Sequence, residues 1–399
     1  VRRVYLDHAS TSPLRPAARD ALVAWLDTAA TGDPGRIHAE GLAARVAVEQ
    51  ARDQVAALLG ARNREVVFTS GATEAIAAAC WGAAARAAST SAGGPAGAGG
   101  PAGRASHQVV PAVEHSAVRL AASRHGDVTL VPVDGAGRVA PADVMAAVRP
   151  DTVLVHVQWG NHEVGTVQPV AEVVAACRER GVLVHVDAAQ AAGRVPIDFR
   201  ALGADLLSVS AHKLGGPPGT GALLVRRGVR LPPLLVGGDQ ERARRAGTEN
   251  VAAIAGFGAA AEALAAPGAL AAEAAAQRQL TDRIRAEVAG VDGLVPYGPP
   301  SPDDRLPHLV CLGVEGIEPQ AVLLGLDRAG VAAHSGSACS SESLEPSPVL
   351  EAMGVDAHHS LRLSAGWSTT GEDVDRVVDV LPGVLHELRT LGVRPSSAL

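Results

Sequence analysis

Through the first two thirds of the chain, short runs of β-branched and aliphatic residues alternate with longer alanine-rich stretches whose apolar positions recur at helical spacing. The runs 66–69, 108–111, 128–131, 153–157, 183–186, 206–210 and 222–225 predict strands. The stretches 16–28, 42–59, 73–88, 116–125, 141–148 and 170–180 predict helices. Strands alternating with helices predict an α/β fold with a mainly parallel sheet covered on both faces. Ligands of such sheets bind where strands run out at their carboxyl ends. The polar exceptions Thr69-Ser70-Gly71, Asp187 and Ser210-Ala211-His212-Lys213 fall at those ends.

Residues 88–103 are a low-complexity mix of Gly, Ala, Ser and Pro, expected to form a flexible surface insertion because the alternation resumes after them. From about residue 250 the pattern changes to long alanine-rich helices. A mixed region follows: strand 309–312, helix 319–329, a Gly/Ser loop around Cys339, helix 346–353, strand 360–364 and helix 372–388. The expected division is an N-terminal arm, 1–14, packing with the small domain, a large domain over 15–255, and a small α/β domain over 256–399 that carries Cys339.

Composition narrows the chemistry. A chain of 399 residues, 47% hydrophobic and with a formal charge of only -7, can bury a large core. No apolar stretch is long enough to span a bilayer and the first residues do not resemble a signal peptide, so no membrane association and a cytoplasmic location are expected. With nine aromatic residues and a slightly acidic balance, the chain lacks the footprint of a nucleic-acid binder. Cys80, Cys177, Cys311 and Cys339 form no CxxC pair, and His358-His359 has no ligand set at metal spacing, so no metal site is expected. The first three cysteines sit in apolar patterns and read as core.

Of the 35 basic residues, 34 are arginine and one is lysine, Lys213. Arginine stays protonated, whereas a lysine amine can lose its proton and attack a carbonyl. Lys213 lies in a Gly/Pro-punctuated turn beside Ser210 and His212, a combination suited to a phosphate monoester next to a Schiff base. That is the binding problem posed by pyridoxal 5'-phosphate (PLP). Its pyridine nitrogen needs a carboxylate, and Asp187 stands at a strand end with Gln190 a turn later. Its phosphate suits the loop Ser70-Gly71-Ala72-Thr73-Glu74 opening a helix. Glu114-His115-Ser116 supplies an imidazole to cover the ring.

These segments resemble, in order and spacing, the cysteine desulfurases of the class V aminotransferase family, in the group with a long Ser-Gly-Ser-Ala-Cys loop. The likeness runs nearly end to end: 5–11, 68–74, Glu114-His115, 161–165, 185–190, 210–213, 237–242, 245–248, 335–339 and 360–364. The resemblance implies a PLP-dependent transferase of fold type I. It implies that Lys213 bonds the cofactor and shuttles protons, Asp187 pairs with the ring nitrogen, His115 stacks on the ring and Gln190 bonds the phenolic oxygen. Ala72, Thr73, Ser210 and His212 are expected around the phosphate, with Thr248 reaching it from the other subunit of a homodimer. Asn161 and Arg362 are expected to face the substrate carboxylate, and Cys339 is the expected nucleophile. The implied reaction converts L-cysteine to L-alanine, with sulfur held as a Cys339 persulfide before transfer to an acceptor protein for iron-sulfur assembly, thio-cofactor synthesis or tRNA thiolation.

Two other functions remain open at this point: a selenocysteine or cystine lyase of the same family, and a non-catalytic sulfur-pathway scaffold. Arg242, Arg244 and Arg245 are compatible with either a solvated loop or a segment near a dimer interface, while Trp159 and Trp367 read as packing residues. The chain departs from the commoner family pattern at His8, Asp33-Pro34-Gly35, Ala75-Ile76, His162 and Trp367. None of these removes an expected catalytic group.

Overall fold

The computed structural model describes residues 2–28, 32–92, 106–336 and 346–392. Twelve strands appear among them: β1 (Val4–Tyr5), β2 (Val66–Thr69), β3 (His107–Pro111), β4 (Asp127–Val131), β5 (Thr152–Gln158) and β6 (Leu183–Asp187). The remaining six are β7 (Leu206–Ser210), β8 (Gly221–Val225), β9 (Leu294–Pro296), β10 (Leu309–Val314), β11 (Val331–Ala332) and β12 (Ser360–Ser364). Seven form one sheet in the order β2-β8-β7-β6-β5-β3-β4. The pairs from β7 through β4 are parallel, and β8 runs antiparallel to both its neighbours. The exception has a local cause: the link from β7 to β8 is a short Gly/Pro turn, and only a longer crossover returns a strand in parallel. β7 and β8 are buried along their whole length, as strands covered on both faces must be.

The strand directions place the ends of β2, β5, β6 and β7 on one rim. Thr69 and Ser210 both pair with Gly221 there. A Cβ on Gly221 would lie 2.7 Å from Gly71 Cα and 2.5 Å from the Val209 carbonyl, so a glycine is needed for this loop to reach the rim. The helix Ala72–Ala92 begins at the loop and continues through residues expected to open the 88–103 insertion. None of the residues 88–92 is glycine or proline, so the helix can continue through them; residues 93–103 lie outside the described residues.

A second, three-stranded sheet, β12-β10-β9, is antiparallel and is backed by the helices Ala269–Val288, Pro319–Arg328 and Gly371–Gly392. It has a core of its own, built around Ile284, Leu312, Val322, Leu361 and Leu385, and Val4 and Leu6 of the arm are buried in that core. β1 pairs in parallel with β11, and Asp7 bridges to Ser364. The helix Val251–Ala265 belongs to the other core through Ile254, Phe257, Ala261 and Leu264, so that core continues past residue 255. Its small residues allow this: a Cβ on Gly258 would stand 2.6 Å from Ala51 Cα in the facing helix. Among the described residues no single helix is long and apolar enough to cross a membrane, and no cluster of His, Cys, Asp and Glu is arranged to hold a metal.

The arginine-rich loop is exposed at Arg242 but anchored at Glu241, Arg244 and Arg245. Glu241, Arg242 and Ala243 turn left-handed in succession, with φ of 50°, 60° and 60°, a conformation that costs a non-glycine residue roughly 1–2 kcal/mol. The turn is held by Glu241, which takes a two-pronged contact from Arg52 at 2.7 and 2.8 Å and the Phe68 amide at 2.9 Å. Arg244 donates to the Arg64 and Val66 carbonyls, and Arg245 pairs with Glu74. The Arg52 and Glu241 side chains are 3% and 1% exposed, so Glu241→Ala leaves the buried Arg52 with the half-exposed Glu49, 3.1 Å from its Nε, as its remaining ion-pair partner among the described residues. The expected loss is about 3 kcal/mol, the lower end of the cost of breaking a buried pair, read from the urea midpoint; a change below about 1 kcal/mol contradicts the role given to this pair.

Candidate active site

The rim opens on a cleft of about 470 Å³, walled by both units. Ala72, Thr73 and Ser210 line it, and the helix Ala72–Ala92 starts there with its free backbone N–H groups. Asp187, Gln190, His115, His212, Lys213 and Arg362 also line it. Two expected residues are placed differently. Asn161 is fully buried and does not line the cleft: its Oδ1 accepts the Glu163 and Val164 amides, and its Nδ2 donates to the Val113 carbonyl. Its amide is used to fold the turn that presents Gly160 and His162 to the cleft. Thr248 is exposed and lies outside this cleft, in a small neighbouring hollow with Ser70 and Gly219. Cys339 lies outside the described residues.

Lys213 ends the short turn after β7, and its Nζ donates to the Ala9 carbonyl of the arm. Burial in the cleft, followed by the nearby Arg362 guanidinium, lowers its ammonium from the usual 10.5 to about 7. A large share of this amine is therefore neutral at physiological pH. His115 caps a helix by accepting the Ala117 amide at Nδ1, 3.0 Å away, which puts its own proton on Nε2. Burial and then His162, packed edge to face with ring centroids 5.0 Å apart, hold it down to about 4. The ring is therefore a neutral flat face.

Asp187 accepts the Ser208 hydroxyl at 2.9 Å and the Ala189 amide at 3.0 Å, both on Oδ1. Its Oδ2 has no hydrogen-bond partner among the described residues. Gln190 donates to the Ala9 carbonyl at 2.8 Å and receives His308 Nε2 at 3.2 Å, which fixes which end of the amide carries hydrogen. Arg362 is 3% exposed and locked by Asp7 Oδ1 at 3.0 Å, Ser10 Oγ at 2.6 Å and the His162 carbonyl at 2.8 Å. Its Nε is buried without a partner. Sequence reading assigns no role to Asp7, Ser10 or His308. The first two carry a signal, since they sit in the motif Asp7-His8-Ala9-Ser10, whereas His308 has none beyond being polar beside an apolar strand.

The departures fit around these groups. His8 is buried between Ser12 at 2.8 Å and Thr369 at 3.3 Å, and its ring has room because position 366 is glycine, whose Cβ would fall 1.8 Å from Nδ1. Ile76 lines the cleft and packs with Cys80 and Val110. Trp367 donates to the Pro13 carbonyl and lies under Arg15, as a packing residue would. Cys80, Cys177 and Cys311 are buried, in keeping with a core role. His359 pairs with Asp356 at 2.8 Å.

The cleft unites an amine of lowered basicity, a carboxylate with one free oxygen, a neutral imidazole face, a helix start and an oriented guanidinium. Comparison with known proteins places the chain in a family. A family model described as Aminotransferase class-V matches residues 4–377. Cysteine desulfurase IscS 1 of Archaeoglobus fulgidus is 39% identical over 97% of this chain and 98% of its own length. Among solved structures, a NifS-like protein superposes with a TM-score of 0.85 at 30% identity, covering 97% of this chain and 100% of its own. A structure titled SspA in complex with cysteine superposes with a TM-score of 0.76 at 29% identity, covering 90% and 98%. The chain belongs to the class-V aminotransferase family.

Proposed function

We propose that this protein is a PLP-dependent cysteine desulfurase, taking sulfur from L-cysteine onto Cys339 and passing it to an acceptor protein. The observation that carries this reading is the convergence, in one cleft, of the chain's sole lysine amine with Asp187, His115 and the locked Arg362. The groups present suit PLP in kind: Asp187 Oδ2 is free for a ring nitrogen, the helix start with Thr73, Ser210 and His212 for a phosphate, and Gln190 for a phenolic oxygen. When bound, PLP supplies an aldehyde that takes up amino groups and a ring that withdraws electrons.

The chain's own residues do the rest. Arg362, held by Asp7 and Ser10, receives the substrate carboxylate as an oriented cation of the cleft wall. Lys213, near neutrality at Nζ, removes and returns protons above the cleft floor. His115 covers the ring face and keeps water from it. In the net reaction the Cys339 thiolate forms a bond to the substrate sulfur and the Cβ–S bond breaks. The electron pair left on Cβ takes up a proton, giving alanine and a persulfide on Cys339. Thr248, exposed beside the Ser70 loop, is assigned to a second subunit's phosphate site in a homodimer. The acceptor pathway assigned is iron-sulfur assembly or another thiolation route.

Brief exposure to L-cysteine without reductant is expected to add one sulfur to the Cys339 peptide, seen by mass spectrometry. Cys339→Ala should lower alanine release on the order of a thousandfold; full alanine release would favour a lyase that needs no thiol. Lys213→Arg should abolish turnover, because arginine cannot bond an aldehyde.

A pH dependence follows from Lys213. Its folded value lies below its ordinary one, so the amine is free above about pH 7 and blocked by protonation below it. The rate at which the apoprotein takes up PLP is expected to fall about tenfold per pH unit below that point and to level off above it. A rise centred near the ordinary lysine value contradicts the assigned environment.

A further inference from the structure

Behind Asp187, on the side away from the cleft, a row of polar side chains crosses the middle of the sheet. Gln108 of β3, His156 of β5, His185 of β6 and Ser208 of β7 are each fully buried. These four strands are consecutive neighbours, with His156 opposite His185 and Ser208 opposite Asp187 in the register. Gln108 Oε1 stands 2.9 Å from His156 Nε2, and His156 Nδ1 stands 3.0 Å from His185 Nδ1. His185 Nε2 is 3.1 Å from Ser208 Oγ, which donates to Asp187 Oδ1 at 2.9 Å. None of the four lines the cleft, so contact with a ligand does not account for them.

Counting hydrogens restricts how such a row can be bonded. Its four contacts need one hydrogen each, while two neutral imidazoles and one hydroxyl supply three. Burial keeps both rings neutral, with His185 down to about 4 and His156 well below the usual histidine range. The fourth hydrogen must come from an end. With Asp187 protonated, every bond points away from it and ends on Gln108 Oε1. With Asp187 ionised, every bond points towards it and Gln108 must donate from Nε2. The two ends of an amide are isosteric, and Gln108 Nε2 is a buried nitrogen without a partner. Turning the amide end for end brings that nitrogen to His156. The Cys80 Sγ, 3.8 Å from the same His156 atom, is held as a thiol by burial and adds a weak donor at that end. Nearby Glu114 is pushed well above the usual carboxylate range by burial and then by Asp187.

We propose that this row is a one-way hydrogen-bond chain from the Gln108 amide through His156, His185 and Ser208 to Asp187 Oδ1, with Ser208 as the terminal positioning residue. It holds Asp187 as an oriented anion and leaves Oδ2 for the ring nitrogen of the cofactor; this rests on the reading of the cleft as a PLP site.

Selective ¹⁵N-histidine labelling of the PLP-loaded protein tests the direction. The expected tautomers are a proton on Nδ1 of His156 and on Nε2 of His185. The opposite tautomer at either ring, or an imidazolium, overturns the proposal, and neutron diffraction gives the same readout if the signals overlap. Ser208→Ala removes the last donor with little change in volume. It is expected to release PLP on the order of tenfold faster, as loss of a hydrogen bond to a charged group would, and Ser208→Thr is expected to restore retention. Equal retention by Ser208→Ala and the unaltered protein overturns the positioning role. Cofactor content separates the two levels: a purified protein that takes no PLP contradicts the functional reading, whereas wrong tautomers in a PLP-loaded protein contradict only the chain.

Discussion

Removal of water from one amine is the constraint that the rest of the architecture meets. Lys213 stands at the end of β7, and the arm closes over it so that Ala9 offers a carbonyl to Nζ. That carbonyl is placed by the register of β1 on β11 and by the bridge from Asp7 to Ser364, both made with the second core rather than the sheet that carries the lysine. The amine is thus desolvated by parts of the chain far apart in sequence. Its loss of basicity is a consequence of tertiary assembly, and the turn Ala211–Lys213 alone does not produce it.

A second regularity is the lowered basicity of several imidazoles in and near the cleft. His8, His115 and His212 are held to about 3, 4 and 4, with burial the largest cause in each case, and His308 is also held well below its usual value. Neutral rings can orient amides, hydroxyls and a cofactor face without adding positive charge. Arg362 then remains a fixed cation of the cleft wall, aligned by Asp7 and Ser10. The same economy of charge continues behind Asp187, where neutral groups pass hydrogen bonds to a single anion.

Much of this was legible from the sequence because the signals were periodic or chemical. Seven strands and six helices of the first unit follow from alternating runs, and Asp187 and Ser210, which line the cleft, stand at strand ends. The two-residue strands β1 and β11 escape such reading because two residues carry no period, yet their pairing delivers Ala9. Asn161 shows another ambiguity: an amide next to a turn can serve a ligand or the turn itself, and in this structure it accepts the Glu163 and Val164 amides. Gln108, His156, His185 and Ser208 look in sequence like isolated polar interruptions of four separate strands. Only the lateral order of the sheet makes them a row.

Reduction of the PLP-loaded protein with borohydride, followed by peptide mapping, tests the central claim most directly, because it fixes the cofactor to whichever amine it has joined. With a single lysine in the chain, the predicted result is one phosphopyridoxyl group on the Lys213 peptide. Cofactor label found elsewhere, with Lys213 unmodified, would contradict it.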